Sequence, residues 1–261
     1  MREAGWQASI KLVQLLAVGI TVLTAVSTPV AEQPPVLVVS VAASVNDALD
    51  EIAGLYRSAT GVTVALNAGG SNTLARQIVE GAKAGVFVSA DQAQMDAVGR
   101  AGRIVAGTRI NLLTNELAVV ASPASKDLTL ARVLKGGVNR LAMGEPAAVP
   151  AGVYGRRWLE HEGAWARLEP KVVPFPTVRA VLSAVENGRA QAGIVYRTDA
   201  MIAPGVRVIA NLPAKQHPYL DISYPAAVIA GPMEAEARRF LEYLKGPQAR
   251  AVFARHGFGF P

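Results

Sequence analysis

The sequence predicts an α/β protein built as two lobes, and three observations carry that reading. Apolar runs of strand length alternate with segments of helical spacing from Val36 to Tyr196. The strand-like runs are continuously apolar, as strands covered on both faces are, which argues for mainly parallel sheets flanked by helices. A long strand-rich stretch at residues 110–121 breaks the alternation once, and a second alternating set follows it, so the chain divides into two halves of similar size.

In chain order, residues 36–43 (VLVVSVAA) read as the first strand. Ser44-Val45-Asn46-Asp47 then matches a capping box, and Ala48, Ile52, Leu55 and Tyr56 continue at helical spacing. Gly61 breaks the chain before a strand at 62–67. Ala68-Gly69-Gly70 reads as a flexible turn, with Ser71 capping a helix that turns Leu74, Ile78 and Val79 inward. Residues 86–90 form a third strand, and Asp91 caps the helix after it. Beyond the break, strands are expected at 140–144, 171–174 and 192–196, with one helix after Pro150 and another from Thr177. The chain closes with a strand at 224–230 and helices at 234–245 and 247–256.

Composition narrows the function. At 51% hydrophobic and 18% charged over 261 residues, the chain is rich enough in apolar side chains to bury a core. The net charge is +6, but no run of Lys and Arg is longer than two, so no nucleic-acid footprint is expected and a mild positive field suits a small anion. Cysteine is absent, which removes disulfides, thiolate metal sites, thiol nucleophiles and a lipid-modified cysteine. His161, His217 and His256 stand far apart and in no metal-ligand spacing. With no G-x-S-x-G elbow, Walker sequence or H-E-x-x-H, neither an enzyme nor a resident cofactor is expected.

The N-terminus has the layout of a secretory signal. Arg2 and Lys11 precede an apolar run at 12–26, and Ser27-Thr28-Pro29-Val30-Ala31 offers a cleavage point after Ala31, with Ser27 as the alternative. Gln14, Thr21 and Thr24 interrupt the run, which is shorter than the ~20 residues a membrane span needs. Residues 1–31 are therefore expected to be removed, leaving a soluble exported chain.

Candidate chemistry gathers where strands run into helices, because helix N-termini point unsatisfied N–H groups outward at the carboxyl ends of strands. Ser44 follows the first strand, and Ser71 follows Gly69-Gly70. Ala151 lies in the turn Val149-Pro150-Ala151-Gly152, Val178 in the first turn after Pro176-Thr177, and Tyr196 ends the strand GIVY. These positions lack acids and supply neutral donors: two hydroxyls, main-chain amides and a phenol. Hydrogen bonds to a charged group contribute about 1.5–3 kcal/mol each. Roughly six or seven of them exceed the ~4 kcal/mol minimum cost of association, enough to hold a small dianion without a lysine or arginine.

The same places carry a resemblance. Ala42-Ala43-Ser44, Ser71-Asn72-Thr73-Leu74-Ala75-Arg76-Gln77, Val86-Phe87-Val88-Ser89-Ala90-Asp91, Val149-Pro150-Ala151-Gly152-Val153-Tyr154, Val178-Arg179, Gly193-Ile194-Val195-Tyr196 and Gly246-Pro247-Gln248-Ala249 recur in order and at similar spacing. In these the chain, from Val36 onward, resembles the periplasmic molybdate-binding proteins of ABC transporters. The resemblance implies the two-lobe periplasmic-binding-protein fold (type II), with residues 35–118 plus 224–261 forming lobe 1 and 119–223 lobe 2. It implies an oxyanion, molybdate or tungstate, held by Ser44, Ser71, the amides of Ala151 and Val178, and the Tyr196 hydroxyl. The metal would be reached through the ligand's own oxygens, with no direct metal ligands from the protein. A periplasmic monomer that delivers its ligand to a membrane permease is expected, with a site for another tetrahedral oxyanion such as sulfate as the alternative. Arg76 and Arg179 read as structural, and Asp47 and Asp91 as helix caps. Two departures stand out: Ala68-Gly69-Gly70 replaces a serine-rich segment, and Lys83-Ala84-Gly85 replaces Pro-Ala-Asp.

Overall fold

Strands and helices alternate through the first half as the hydrophobic pattern requires. The computed structural model describes residues 36–261, so the expected signal segment at 1–31 lies outside the described residues. β1 (Val36–Ala42) runs through a short 3-10 turn (Ala43–Val45) into α1 (Asn46–Thr60). β2 (Thr63–Gly69), α2 (Ser71–Val79), β3 (Val86–Val88) and α3 (Gln92–Arg100) follow. The strand-rich stretch is two strands, β4 (Ile110–Thr114) and β5 (Leu117–Ala121).

The second half contains α4 (Leu130–Leu134), β6 (Leu141–Gly144), α5 (Pro150–His161), α6 (Trp165–Leu168), β7 (Val172–Phe175), α7 (Val178–Glu186), β8 (Ala192–Tyr196) and α8 (Arg197–Met201). A strand the sequence pattern did not single out, β9 (Arg207–Leu212), comes next. β10 (Ser223–Val228), α9 (Glu234–Lys245) and α10 (Pro247–Arg255) complete the chain. Among the described residues, no helix is long and apolar enough to cross a membrane.

The strands form two five-stranded mixed sheets, ordered β2-β1-β3-β10-β4 and β7-β6-β8-β5-β9. In each sheet four strands run one way and one runs against them: β10 in the first, β5 in the second. The reversed strands are those that arrive from the other lobe. β4 leaves the first sheet at its carboxyl edge, so the chain enters the second sheet from the edge facing the first and must run against its neighbours; β10 repeats this on the return. The crossings are tied together where the Asn115 N–H donates to the Ile222 carbonyl at 3.1 Å. Leu117 and Ala118 therefore lie in the second sheet and Ser223 in the first, a shift of one or two residues from the boundaries expected at 118 and 224.

Packing follows from the continuous apolar strands. In the first lobe, Leu37, Val39, Val41, Leu49, Ile52, Phe240 and Phe253 form a buried layer under α1, α9 and α10. Leu74, Ile78, Phe87, Met95 and Val98 fill the opposite face under α2 and α3. In the second lobe, α5 and α7 cover β6 and β8, burying Trp158, Val181 and Val185. Covering both faces of each sheet leaves the strand ends as the place where backbone and side-chain donors stay free.

Candidate ligand-binding site

Ala42, Ser44, Gly70, Ser71 and Ala90 from one lobe and Val149, Pro150, Ala151, Thr177, Val178 and Tyr196 from the other line a cavity of about 20 Å³. One water needs ~10–15 Å³, so as it stands the space admits only a very small guest. All five residues singled out in the sequence border it. No carboxylate is among its lining residues, and no cluster of histidines and acids that could hold a metal ion occurs among the described residues.

Each donor is positioned by the element that carries it. Pro150 and Ala151 are the first residues of α5, and Val178 is the first of α7. The first four N–H groups of a helix have no acceptor within it, so the amides of Ala151 and Val178 are free to bind an anion, backed by the helix dipoles. Thr177 caps α7 by accepting from the Ala180 N–H at 3.2 Å, which fixes the direction of that first turn. Gly152 lets α5 start so close to β6: a Cβ there would stand 2.2 Å from the Gly144 carbonyl oxygen.

Neither serine caps its helix as expected. The cap position of α1 is Val45 and that of α2 is Gly70, neither with a side-chain bond, and Ser71 is the first residue of α2. The hydroxyls are engaged elsewhere because tertiary partners reach them. Ser71 Oγ accepts from the Ala90 N–H at 2.9 Å, and Ser44 Oγ lies 2.8 Å from the Tyr224 hydroxyl. Ser71 thereby keeps its own proton for the cavity. Tyr196 Oη is buried and finds no partner among the described residues. Burial, then the neighbouring Tyr224 and Tyr154, push its pKa well above the usual tyrosine value, so it remains a proton donor.

Asp91 does cap α3, accepting from the Gln94 N–H at 3.0 Å. Asp47 does not cap α1. Its carboxylate pairs with Arg179 Nη2 at 2.9 Å, one lobe to the other, while Arg179 Nε stands 2.6 Å from Asp199 Oδ1 with its N–H not aligned for a hydrogen bond. Arg179 is thus engaged by two acids, and Arg76 is exposed on α2. Asp199 is fully buried, and burial raises its pKa to about 6 against the opposing pull of Arg179. Gly70, expected to provide flexibility, has ordinary extended backbone (φ −66°, ψ 133°) and serves instead for close approach. A Cβ at residue 70 would stand 2.6 Å from the Pro176 carbonyl oxygen of the other lobe.

Sequence reasoning missed a second layer. The Asn115 amide donates to the Tyr224 hydroxyl at 3.1 Å and to Thr198 Oγ1 at 2.9 Å. The available signal was a phenol beside a serine at the start of a wholly buried strand.

Comparison with known proteins decides the family. Residues 37–259 match bacterial extracellular solute-binding proteins. The chain is 43% identical over 230 residues to the molybdate-binding protein ModA of Escherichia coli, covering 85% of this chain and 88% of that one. The chain belongs to the ModA family. Among solved structures, the periplasmic molybdate-binding protein of Azotobacter vinelandii superposes on it with a TM-score of 0.75 at 27% identity, covering 86% of this chain and 99% of that one. The substrate-binding domain assigned to a molybdenum ABC transporter of Clostridium difficile gives 0.66 at 29% identity, covering 87% and 99%. The two-lobe α/β architecture described above is the fold of these ModA-type proteins.

Proposed function

We propose that this protein captures molybdate, and tungstate as its near-isostere, between its lobes and delivers it to the membrane permease of an ABC transporter. The observation that carries the reading is the buried, unpaired Tyr196 hydroxyl on a small cavity that also receives two serine hydroxyls and two free helix-terminal amides, with no acid in its wall. Such a wall offers protons from its amides and hydroxyls and no carboxylate to accept one. It favours a fully deprotonated dianion, because a ligand bearing its own proton would need an acceptor there. Five charge-assisted hydrogen bonds at about 1.5–3 kcal/mol each total on the order of 10 kcal/mol. After association costs of at least ~4 kcal/mol, about 6 kcal/mol is left, a Kd of tens of micromolar, and bonds at the strong end of that range bring it to micromolar or below when the donors are preorganised. The ModA relatives and the molybdenum-transporter neighbour support the choice of ligand and of transporter.

Ser44 and Ser71 come from one lobe, and Ala151, Val178 and Tyr196 from the other. A ligand that needs both sets favours the closed arrangement by differential affinity. The Gly70–Pro176 approach and the Asp47–Arg179 pair accompany that closure. In this reading the protein is a transport component and not an enzyme, works as a periplasmic monomer, and reaches the periplasm by its N-terminal signal. Calorimetry on the mature chain tests the ligand: tight binding of molybdate and tungstate is expected. Tight binding of sulfate with none of molybdate would overturn the assignment.

A further inference from the structure

The hydrogen-bond geometry behind Ser44 has a direction. Asn115 Oδ1 accepts from the Glu116 N–H at 2.9 Å, which turns the amide nitrogen toward Tyr224 and Thr198. An amide nitrogen only donates, so the Tyr224 oxygen is an acceptor from Asn115 and its single proton is left for Ser44. Ser44 in turn accepts from Tyr224 at 2.8 Å and has its own proton for the cavity. Tyr224 is fully buried, and that burial holds the phenol protonated. Ser71 is oriented in the same sense by the Ala90 N–H. There the donor is a main-chain amide, whereas behind Ser44 it is a side-chain relay that substitution can reverse.

We propose that Asn115 and Tyr224 are positioning residues whose one-way donor chain fixes Ser44 as a proton donor to the ligand, and so sets the preference for fully deprotonated tetrahedral dianions over singly protonated ones such as hydrogen phosphate. This rests on the oxyanion reading above and adds to it the residues responsible for discrimination. Neither residue borders the cavity. Replacing Asn115 by the near-isosteric aspartate reverses the chain: a carboxylate accepts from Tyr224, Tyr224 then accepts from Ser44, and Ser44 turns lone pairs to the ligand.

The test is the ratio of Kd values for molybdate and inorganic phosphate at about pH 8, measured by calorimetry on wild type, Asn115→Asp and Tyr224→Phe. Both ligands are then dianions, so the added charge of the aspartate weakens both alike and leaves the ratio to report proton direction. The expected result is that Asn115→Asp narrows the molybdate-over-phosphate preference by about tenfold, the weight of one hydrogen bond. Tyr224→Phe, which releases Ser44 to turn, narrows it by a smaller factor and decides the matter if the aspartate variant does not fold. A merely structural role lowers affinity for both ligands and leaves the ratio within twofold of wild type, and that result overturns the proposal. If wild type itself binds no tetrahedral dianion, the oxyanion reading fails, and this inference with it.

Discussion

The two walls of the cavity solve one problem with different parts. The first lobe offers side-chain hydroxyls, each held by a neutral donor behind it: Tyr224 behind Ser44 and the Ala90 amide behind Ser71. The second lobe offers main-chain amides at the starts of α5 and α7, plus a phenol with no partner among the described residues. Its outer support is ionic, with Arg179 between Asp47 and buried Asp199. The contrast shows that a site of neutral donors can be assembled either from replaceable side chains aimed by tertiary contacts or from backbone groups aimed by helix geometry. The first kind is open to any substitution and the second nearly closed to it.

The strongest attack on the comparison is the double variant Ser44→Ala, Ser71→Ala, which strips the first wall. Two charge-assisted bonds at about 1.5–3 kcal/mol each correspond to roughly a hundred- to ten-thousandfold rise in the Kd for molybdate. The unliganded fold should persist, which circular dichroism checks. The backbone wall can be reached by Val178→Pro. Proline lacks the N–H but is favoured at the first helical position, and Thr177 before it is already extended (φ −146°, ψ 157°), as a residue preceding proline must be. Loss of one amide then predicts about ten- to hundredfold weaker binding with the helix content unchanged. An affinity equal to wild type in that variant would remove the Val178 amide from the site.

Where the walls meet, Gly70→Ala places a Cβ against the Pro176 carbonyl. The Asn72 side chain of the same lobe, with Oδ1 2.8 Å from that Cβ, can rotate aside, so overpacking of about 1–3 kcal/mol falls chiefly on the closed arrangement. The unliganded Tm should therefore hardly move, while the stabilisation by saturating molybdate in a thermal-shift series shrinks. An undiminished ligand-induced shift would show that the lobes close without that contact.

The smallest effect concerns the ionic support of the second wall. Asp199 holds its proton up to about 6 in the folded chain against an ordinary 3.8, chiefly because it is buried. Folding thus takes up a proton across that window, and this group's contribution to stability falls as pH rises from about 4 to about 6 and is level above. Asp199→Asn removes that decline, so the variant's Tm relative to wild type should climb over the same window. A flat difference would mean that Asp199 ionises in the folded chain as it does in the unfolded one.

The alternation of strand and helix, the two-half division and the junctions at Ser44, Ser71, Ala151, Val178 and Tyr196, all of which border the cavity, were legible in the sequence, because continuous apolar runs and Gly-, Pro- and Ser-marked junctions are local signals. The roles at those junctions were less so. Ser44 and Ser71 look like caps in one dimension, since a serine before a helix is usually that, and partners 180 and 19 residues away took their hydroxyls instead. β9 was missed because its exposed and half-buried residues give little alternation. Asp47 read as a cap because nothing near it in sequence announces Arg179.

The sequence by itself determined which segments become strands, where helices begin, and that the junctions would carry donors without acids, since those properties depend on residues within a turn or two of one another. Only the tertiary structure decided the direction of each hydrogen bond at Ser44 and Ser71, the reversal of β5 and β10, and the pairing of Arg179 across the lobes. The Ser44 relay, the two reversals and the Arg179 pairing depend on groups brought together by the crossings at Asn115 and Ile222, and the Ser71 bond on Ala90 beyond β3 within the first lobe; a hydroxyl takes its role from whichever partner arrives with a proton already committed.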